Sequence, residues 1–142
     1  MTTIKHLLRN KGGAVHSIDA EAPVLAAIES MAAHGIGALT VMRGNQLVGV
    51  VSERDYARKV ILMGRSSAET PVWAIMSSPV VTVGPDETVN TCMLLMTERK
   101  FRHLPVVDHG EVVGMLSIGD LVKCVIDEQA EQIAQLQNYI AS

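Results

Sequence analysis

The sequence predicts an α+β (α/β-like) fold made of two copies of one small unit. Residues 15–61, moved forward by 65 positions, align without a gap with residues 80–126. Each copy has the apolar spacing of a strand, a helix, two strands and a second helix. The identical pairs include Val15/Val80, Met31/Met96, Leu39/Leu104, Val41/Val106, Val48/Val113, Gly49/Gly114, Ser52/Ser117, Asp55/Asp120, Val60/Val125 and Ile61/Ile126. Two such copies are expected to form a pseudo-two-fold module of small sheets flanked by helices, with a ligand site at the seam.

The elements of the first copy can be predicted in order along the chain. A short strand is expected over residues 15–18, and Pro23 suits the first turn of the helix that follows. Two strands are expected over residues 38–42 and 47–51, joined by a polar turn. The last helix is expected over about residues 53–63, because Gly64 stands where a glycine commonly ends a helix.

The second copy predicts strands over residues 80–83, 103–107 and 112–116, and helices over 87–99 and from Ile118 onward. Five segments result: a lead-in (1–14), the first repeat (15–63), a linker with a short helix (64–79), the second repeat (80–126) and a helical extension (127–142). The apolar residues Ile126, Ile133, Leu136 and Ile140 form a stripe that runs from the end of the second repeat along this extension. The stripe packs either against its own domain or against a second copy of the chain, and we predict a homodimer.

Composition excludes several classes of function. The chain has 142 residues, of which 48% are hydrophobic, so it can form one compact core. Aromatic residues make up only 3%, and the net charge is −3, so nucleic acid is not expected as a partner. Cys92 and Cys124 are expected to be reduced thiols. The sequence shows no signal peptide and no apolar run long enough to span a membrane, so a cytoplasmic location is expected.

Both copies carry the same polar motif where the last strand meets the last helix. The motif is Gly49-Val-Val-Ser52-Glu-Arg-Asp55 in the first copy and Gly114-Met-Leu-Ser117-Ile-Gly-Asp120 in the second. Ser-x-x-Asp at such a junction predicts a capping box, in which the serine oxygen accepts a backbone N–H of the first helical turn. Duplication would copy a cap as faithfully as a ligand site, so the motif alone does not choose between them.

The repeated motif resembles that of a known family. Two strand-helix-strand-strand-helix units, each closing with Gly-apolar-apolar-Ser-x-x-Asp, are similar to a pair of cystathionine-β-synthase (CBS) domains, called a Bateman module. Residues 50–60 and 101–107 add to the resemblance, which covers residues from about 3 to 126. It implies a regulatory module that binds adenosine nucleotides in two clefts between the copies.

The resemblance also implies roles for individual residues. Asp55 and Asp120 would accept hydrogen bonds from ribose hydroxyls, and Ser52 and Ser117 would contact ribose or phosphate. A carboxylate suits two neighbouring hydroxyls, and a helix N-terminus offers N–H groups to a phosphate. The positions that would hold adenine correspond to Ser17, Ile18 and Ala38 in the first copy and to Thr82, Val83, Phe101 and Arg102 in the second.

The two predicted sites differ in charge. The second copy has Arg99-Lys-Phe-Arg-His103 before its second strand, where the first copy has His34-Gly-Ile-Gly-Ala38. Arg102 or His103 is therefore expected to supply positive charge to the second site, which we expect to be the tighter one. The first copy instead has Arg54, Arg58 and Lys59 around Asp55, and these residues could equally form an ordinary solvated helix face.

No pattern for catalysis or metal binding is found in the sequence. The five histidines, His6, His16, His34, His103 and His109, have no recognised metal spacing, so neither an enzyme nor a metal requirement is expected. The sequence favours a stand-alone regulatory module that binds AMP, ADP, ATP or NAD and signals energy or redox state to an effector protein. The alternatives are a nucleotide-free interaction or stress-response scaffold and a nucleotide-processing enzyme.

Overall fold

The computed structural model describes residues 2–12 and 14–141. Helices and small sheets alternate along the chain, which confirms the predicted α+β class. The elements are α1 (Ile4–Lys11), β1 (Ser17–Asp19), α2 (Val24–His34), β2 (Ala38–Arg43), β3 (Gln46–Ser52), α3 (Glu53–Tyr56), a π-helix (Ala57–Ile61), a 3-10 helix (Val72–Ala74), α4 (Val89–Arg99), β4 (His103–Asp108), β5 (Glu111–Ser117) and α5 (Ile118–Ala141). They form two compact units, residues 14–81 (the first-repeat unit) and residues 2–12 with 82–141 (the second-repeat unit).

The first-repeat unit contains a three-stranded sheet in the order β1-β2-β3. Strand β1 is parallel to β2, and β2 is antiparallel to β3 with Ala38 opposite Ser52. Helix α2 buries Val24, Ala27 and Met31 in the core of this unit. The sequence placed Pro23 in the first turn of α2, but Pro23 is the N-cap residue and lies one position before that turn. Gly35 ends the helix with a left-handed φ of 63°.

The second-repeat unit contains only the two-stranded sheet β4-β5, with His103 opposite Ser117. The strand predicted over residues 80–83 is wrong, because this segment forms only an isolated bridge from Val83 to Val106. Prolines explain the difference between the repeats.

Two backbone donors of the first repeat are missing at the corresponding positions of the second. The Thr40 N–H donates to the His16 carbonyl at 3.4 Å, and the Ala20 N–H donates to the Met42 carbonyl at 2.9 Å. Pro105 and Pro85 stand at the corresponding positions of the second repeat, and proline has no N–H. The parallel pairing therefore cannot extend beyond the bridge at Val83.

The last helices of the two repeats also differ. The helix expected over residues 53–63 is an α-helix only to Tyr56 and continues as the π-helix Ala57–Ile61. Gly64 follows with a left-handed φ of 65°, and its N–H donates to the Ile61 carbonyl, so the predicted glycine end is confirmed. In the second repeat α5 runs without a break over 24 residues, and the predicted C-terminal extension is therefore helical.

The lead-in precedes the first repeat but packs against the second. The linker precedes the second repeat but packs against the first. Helix α1 belongs to the second-repeat unit, where the Ile4 N–H donates to the Glu87 carbonyl at 2.8 Å and Ile4 is fully buried. The 3-10 helix belongs to the first-repeat unit, where the Val72 N–H donates to the Ala22 carbonyl at 2.8 Å.

The repeated glycines are explained by this packing. A Cβ at Gly49 would lie 2.5 Å from the sulfur of Met76, and a Cβ at Gly114 would lie 2.6 Å from Leu8 Cδ2. Only glycine leaves room for these segments against β3 and β5. The Gly49/Gly114 identity therefore reflects close packing within each unit.

Candidate functional site

The β3–α3 junction of the first-repeat unit holds Ser52 and Asp55 together. Ser52 is the N-cap residue of α3, and its Oγ accepts the Asp55 N–H at 3.2 Å. Asp55 Oδ2 in turn accepts the Ser52 N–H at 2.9 Å and the Ser52 hydroxyl at 3.0 Å. The predicted capping box is therefore confirmed in the first repeat.

The β5–α5 junction of the second-repeat unit repeats this arrangement. Ser117 Oγ accepts the Asp120 N–H at 3.1 Å, and Asp120 Oδ2 accepts the Ser117 N–H at 2.8 Å. Both carboxylates are partly buried, with 14% of the Asp55 side chain and 25% of the Asp120 side chain exposed. The caps thus place two corresponding carboxylates at the ends of corresponding strands.

A lysine contacts each carboxylate, but the two lysines come from different places in the sequence. Lys59 Nζ lies 3.4 Å from Asp55 Oδ1 and donates to the Ile75 carbonyl at 2.9 Å. Lys11 Nζ lies 2.7 Å from Asp120 Oδ2 and donates to the Met115 carbonyl at 2.7 Å. The sequence pointed to Lys59 as a neighbour of Asp55 but did not predict Lys11, because the contact depends on where the lead-in packs.

The Lys11 contact changes the ionisation of Asp120. Partial burial alone would raise the pKa of this carboxyl, but the hydrogen bonds from Lys11 and from the Ser117 backbone and the positive charge of Lys11 together outweigh burial. The pKa of Asp120 is therefore below its ordinary value, and the group is a carboxylate at neutral pH.

The N-terminal turns of α3 and α5 offer fewer free N–H groups than the sequence suggested. The Glu53 N–H donates to the Gly37 carbonyl at 3.0 Å, and the Ile118 N–H donates to the Arg102 carbonyl at 2.9 Å. The serine oxygens occupy the N–H groups of Asp55 and Asp120. Two of the first three N–H groups of each helix are thus occupied, so a phosphate there would need a further positive group.

The predicted adenine positions lie on the neighbouring strands. Ser17 and Ile18 lie on β1 opposite Thr40 and Val41, and Ala38 is buried at the start of β2. The Val83 N–H donates to the Pro105 carbonyl at 3.1 Å, so it is not available as a donor to an adenine edge.

The remaining predicted residues are spread over the segments around these junctions. Thr82 is exposed, Phe101 is half-buried, and Arg102 is exposed next to the start of β4, where His103 is the first residue. Arg54 and Arg58 are exposed, and within residues 2–12 and 14–141 neither forms an ion pair. These two arginines therefore fit the alternative of a solvated helix face.

The structure contains two further groups that bear on chemistry. Burial, with a smaller contribution from Glu87, raises the pKa of the Cys92 thiol to about 11, so Cys92 remains a protonated thiol. His16 and His34 stack with their ring centroids 3.8 Å apart. In the described part of the chain no three His, Cys, Asp or Glu residues lie close enough together to share a metal ion.

None of the helices in the two described segments is both long enough and apolar enough to cross a bilayer.

Comparison with known proteins identifies the family. The model of the CBS domain matches residues 12–61 and 72–127. The chain is 39% identical, over 98% of its length and 72% of the relative, to the CBS domain-containing protein CBSX3, mitochondrial, of Arabidopsis thaliana. It covers only between 18% and 48% of the length of several other curated relatives.

Solved structures show the same fold. A putative signal-transduction protein with CBS domains from Burkholderia ambifaria superimposes with a TM-score of 0.85 at 46% identity, covering 90% of this chain and 96% of that one. A hexameric CBS-CP12 protein from bloom-forming cyanobacteria gives a TM-score of 0.77 at 26% identity, covering 85% of this chain and 70% of that one. Each of the two matched segments contains one of the two Ser-x-x-Asp junctions, and the chain therefore belongs to the CBS-domain family as a CBS pair, or Bateman module.

Proposed function

We propose that this CBS pair is a regulatory module that binds an adenosine nucleotide, AMP, ADP, ATP or NAD, at the Ser-x-x-Asp junctions of its repeats. Binding would signal energy or redox state to an effector protein. The observation that carries the proposal is the state of Asp120, a partly buried carboxylate that is held ionised at the end of a strand. Such a group is suited to accept hydrogen bonds from the two neighbouring hydroxyls of a ribose.

The contacts of Asp120 leave one oxygen for a ligand. The hydrogen bonds from Lys11 and from the Ser117 backbone both go to Oδ2, at 2.7 and 2.8 Å. Oδ1 is therefore the acceptor that a ribose hydroxyl can use. In the first repeat, by contrast, Lys59 lies 3.4 Å from Asp55 Oδ1, while Oδ2 is occupied by Ser52. This difference supports the expectation that the second-repeat site is the tighter one.

Calorimetric titration with AMP and with NAD tests the proposal directly. Asp120→Ala removes charge-assisted hydrogen bonds worth about 1.5–3 kcal/mol, so affinity should fall roughly tenfold to a hundredfold. Asp120→Asn keeps an oxygen that can accept the Ser117 N–H and removes the charge, and it should also weaken binding. Asp55→Ala, the corresponding change in the first repeat, should weaken binding less.

Each alternative function has its own outcome in this experiment. Undiminished affinity in Asp120→Ala, with thermal melts showing a folded protein, rules out the site. The absence of any binding by the unaltered protein at millimolar nucleotide favours the nucleotide-free scaffold, in which Ser52 and Ser117 serve only as caps. Release of a chemically altered nucleotide, followed by chromatography of the mixture, favours an enzyme.

A further inference from the structure

The second-repeat unit receives its carboxylate-bound cation from outside the repeat. Lys11 is the last residue of α1, which precedes the first repeat in sequence but packs on the second. The corresponding cation of the first-repeat unit, Lys59, lies four residues after Asp55 within the same repeat. Position 124, which corresponds to Lys59, is a cysteine in the second repeat. The lysine that contacts the carboxylate thus comes from within the repeat at the first junction and from outside the repeat at the second.

The position of Lys11 is fixed by the packing of its helix. Ile4 and Leu7 of α1 are buried, and Leu8 lies against Gly114 on β5. Gly12 ends the helix one residue after Lys11, and its N–H donates to the Leu8 carbonyl. The Lys11 side chain therefore extends from the end of a packed helix toward the β5–α5 junction.

The ammonium group of Lys11 retains one donor for a ligand. A lysine ammonium has three N–H donors, and the contacts with the Met115 carbonyl and Asp120 Oδ2 use two of them. The Lys11 side chain is 39% exposed, so solvent and small ligands reach part of it. Since the Met115 carbonyl also holds the ammonium, a ligand that binds Asp120 need not displace it.

We propose that Lys11 is a ligand-binding residue of the second-repeat site, where it selects phosphorylated adenosine ligands over the unphosphorylated nucleoside. This inference rests on the nucleotide binding proposed above. A ribose hydroxyl bonded to Asp120 Oδ1 lies at most about 8 Å from Lys11 Nζ, since each hydrogen bond spans about 2.7–3 Å and the two oxygens of a carboxylate are about 2.2 Å apart. A phosphate attached to that ribose can bridge this distance to the ammonium.

The first turn of α5 strengthens the need for this cation. The N–H groups of Ile118 and Asp120 are already bonded to Arg102 and Ser117, so the helix end alone offers little to an anion. A fixed ammonium supplies the positive charge that the occupied N–H groups do not.

Titration of AMP and of adenosine into matched variants tests the role of Lys11. All variants carry Asp55→Ala, which weakens the first-repeat site. Lys11→Met should weaken AMP binding about tenfold to a hundredfold and change adenosine binding by less than about threefold. Lys11→Arg keeps the charge and should keep most of the preference for AMP. Lys5→Met removes the same charge from an exposed position on the same helix and should leave both affinities unchanged.

The outcomes separate this inference from the proposed function. If the Asp55→Ala protein binds AMP and Lys11→Met leaves the AMP-to-adenosine preference unchanged, the role of Lys11 is wrong and nucleotide binding stands. Tighter AMP binding in Lys11→Met would mean that the lysine competes with the ligand, which also overturns the inference. If neither AMP nor adenosine binds the unaltered protein, both proposals fail together. Thermal melts of each variant confirm that the comparison is made between folded proteins.

Discussion

Asp120 combines a structural role with an electrostatic one on a single side chain. Its Oδ2 closes the capping box with Ser117 and also bonds Lys11. In Asp55 the corresponding contacts involve different oxygens, because Ser52 bonds Oδ2 and Lys59 contacts Oδ1. Asp55 and Asp120 thus differ in the carboxylate oxygen that remains for a ligand. We therefore expect the two sites to bind the nucleotide with different affinities.

The lowered pKa of Asp120 predicts how its contribution to stability depends on pH. Because the folded-state pKa lies below the ordinary value of 3.8, the ionised group stabilises the native state at all pH values above about 4. This contribution is lost as the pH falls through the folded-state pKa. Asp120→Asn should therefore lower the free energy of unfolding by about 0.2–1 kcal/mol at pH 7, and the difference should shrink below pH 4.

Urea denaturation at pH 7, 5 and about 2.5 measures this effect. Asp86→Asn is the matched control, because Asp86 is exposed and forms no ion pair within the described residues. A difference between Asp120→Asn and the unaltered protein that stayed constant down to about pH 2.5 would contradict this electrostatic role of Asp120.

The capping contact between Ser52 and Asp55 could be predicted from the sequence, whereas the contact between Lys11 and Asp120 could not. Capping depends on four consecutive residues, so Ser52 and Asp55 could be paired from their spacing alone. Lys11 and Asp120 are 109 positions apart. The sequence placed the lead-in before the first repeat and did not show that it packs on the second.

The sheets show how two prolines change one element of a duplicated fold. Strand β1 pairs with β2 over three residues, whereas the matching segment of the second repeat forms a single bridge. Apolar spacing is similar in both segments, so the sequence predicted a strand in each. Pro85 and Pro105 prevent the longer pairing in the second repeat, because each lacks the backbone N–H that would bond to the neighbouring strand. The apolar spacing of the segment does not reveal this loss.

This explanation predicts the effect of placing a proline in the first repeat. Thr40→Pro should lower the free energy of unfolding by about 1–2 kcal/mol, since the His16 carbonyl loses its backbone donor. It should also speed hydrogen exchange in β1, because the parallel pairing would shrink toward that of the second repeat. Pro105 shows that a proline fits the backbone at this position of the repeat.

Thr40→Val provides the control for this experiment, since it removes the hydroxyl and keeps the backbone N–H. Chemical denaturation and hydrogen exchange with mass spectrometry should show Thr40→Val close to the unaltered protein. Equal effects of the two substitutions would place the cost in the Thr40 side chain and contradict the backbone explanation.

At the scale of the whole molecule, the apolar stripe of α5 predicts a second copy of the chain as partner. Ile126, Ile133, Leu136 and Ile140 are each more than half exposed and recur on one side of the helix. Light scattering should therefore give twice the monomer mass of 15.3 kDa for the full chain.

Two kinds of variant test whether the stripe is the cause. Truncation after Asp127 removes most of the stripe, and the double change Ile133→Asp with Ile140→Asp places charges on it; both should give monomers. Gln135→Asp with Asn138→Asp adds the same charge to the opposite side of α5 and should remain dimeric. A monomeric full chain contradicts the dimer, and a dimeric truncation shows that another surface carries the pairing.

The lead-in packs on the second repeat and the linker packs on the first, so the order in which segments are synthesised differs from the order in which they can pack. Residues 14–81 are contiguous, so everything that the first-repeat unit contains is available once Val81 has left the ribosome. Helix α1 is translated earlier, yet Ile4 and Leu7 have no surface to cover until residues 82–141 follow. Helix α1 is therefore made before the first-repeat unit but finds its place after that unit can fold, and its lysine reaches Asp120 only once the second repeat has been synthesised.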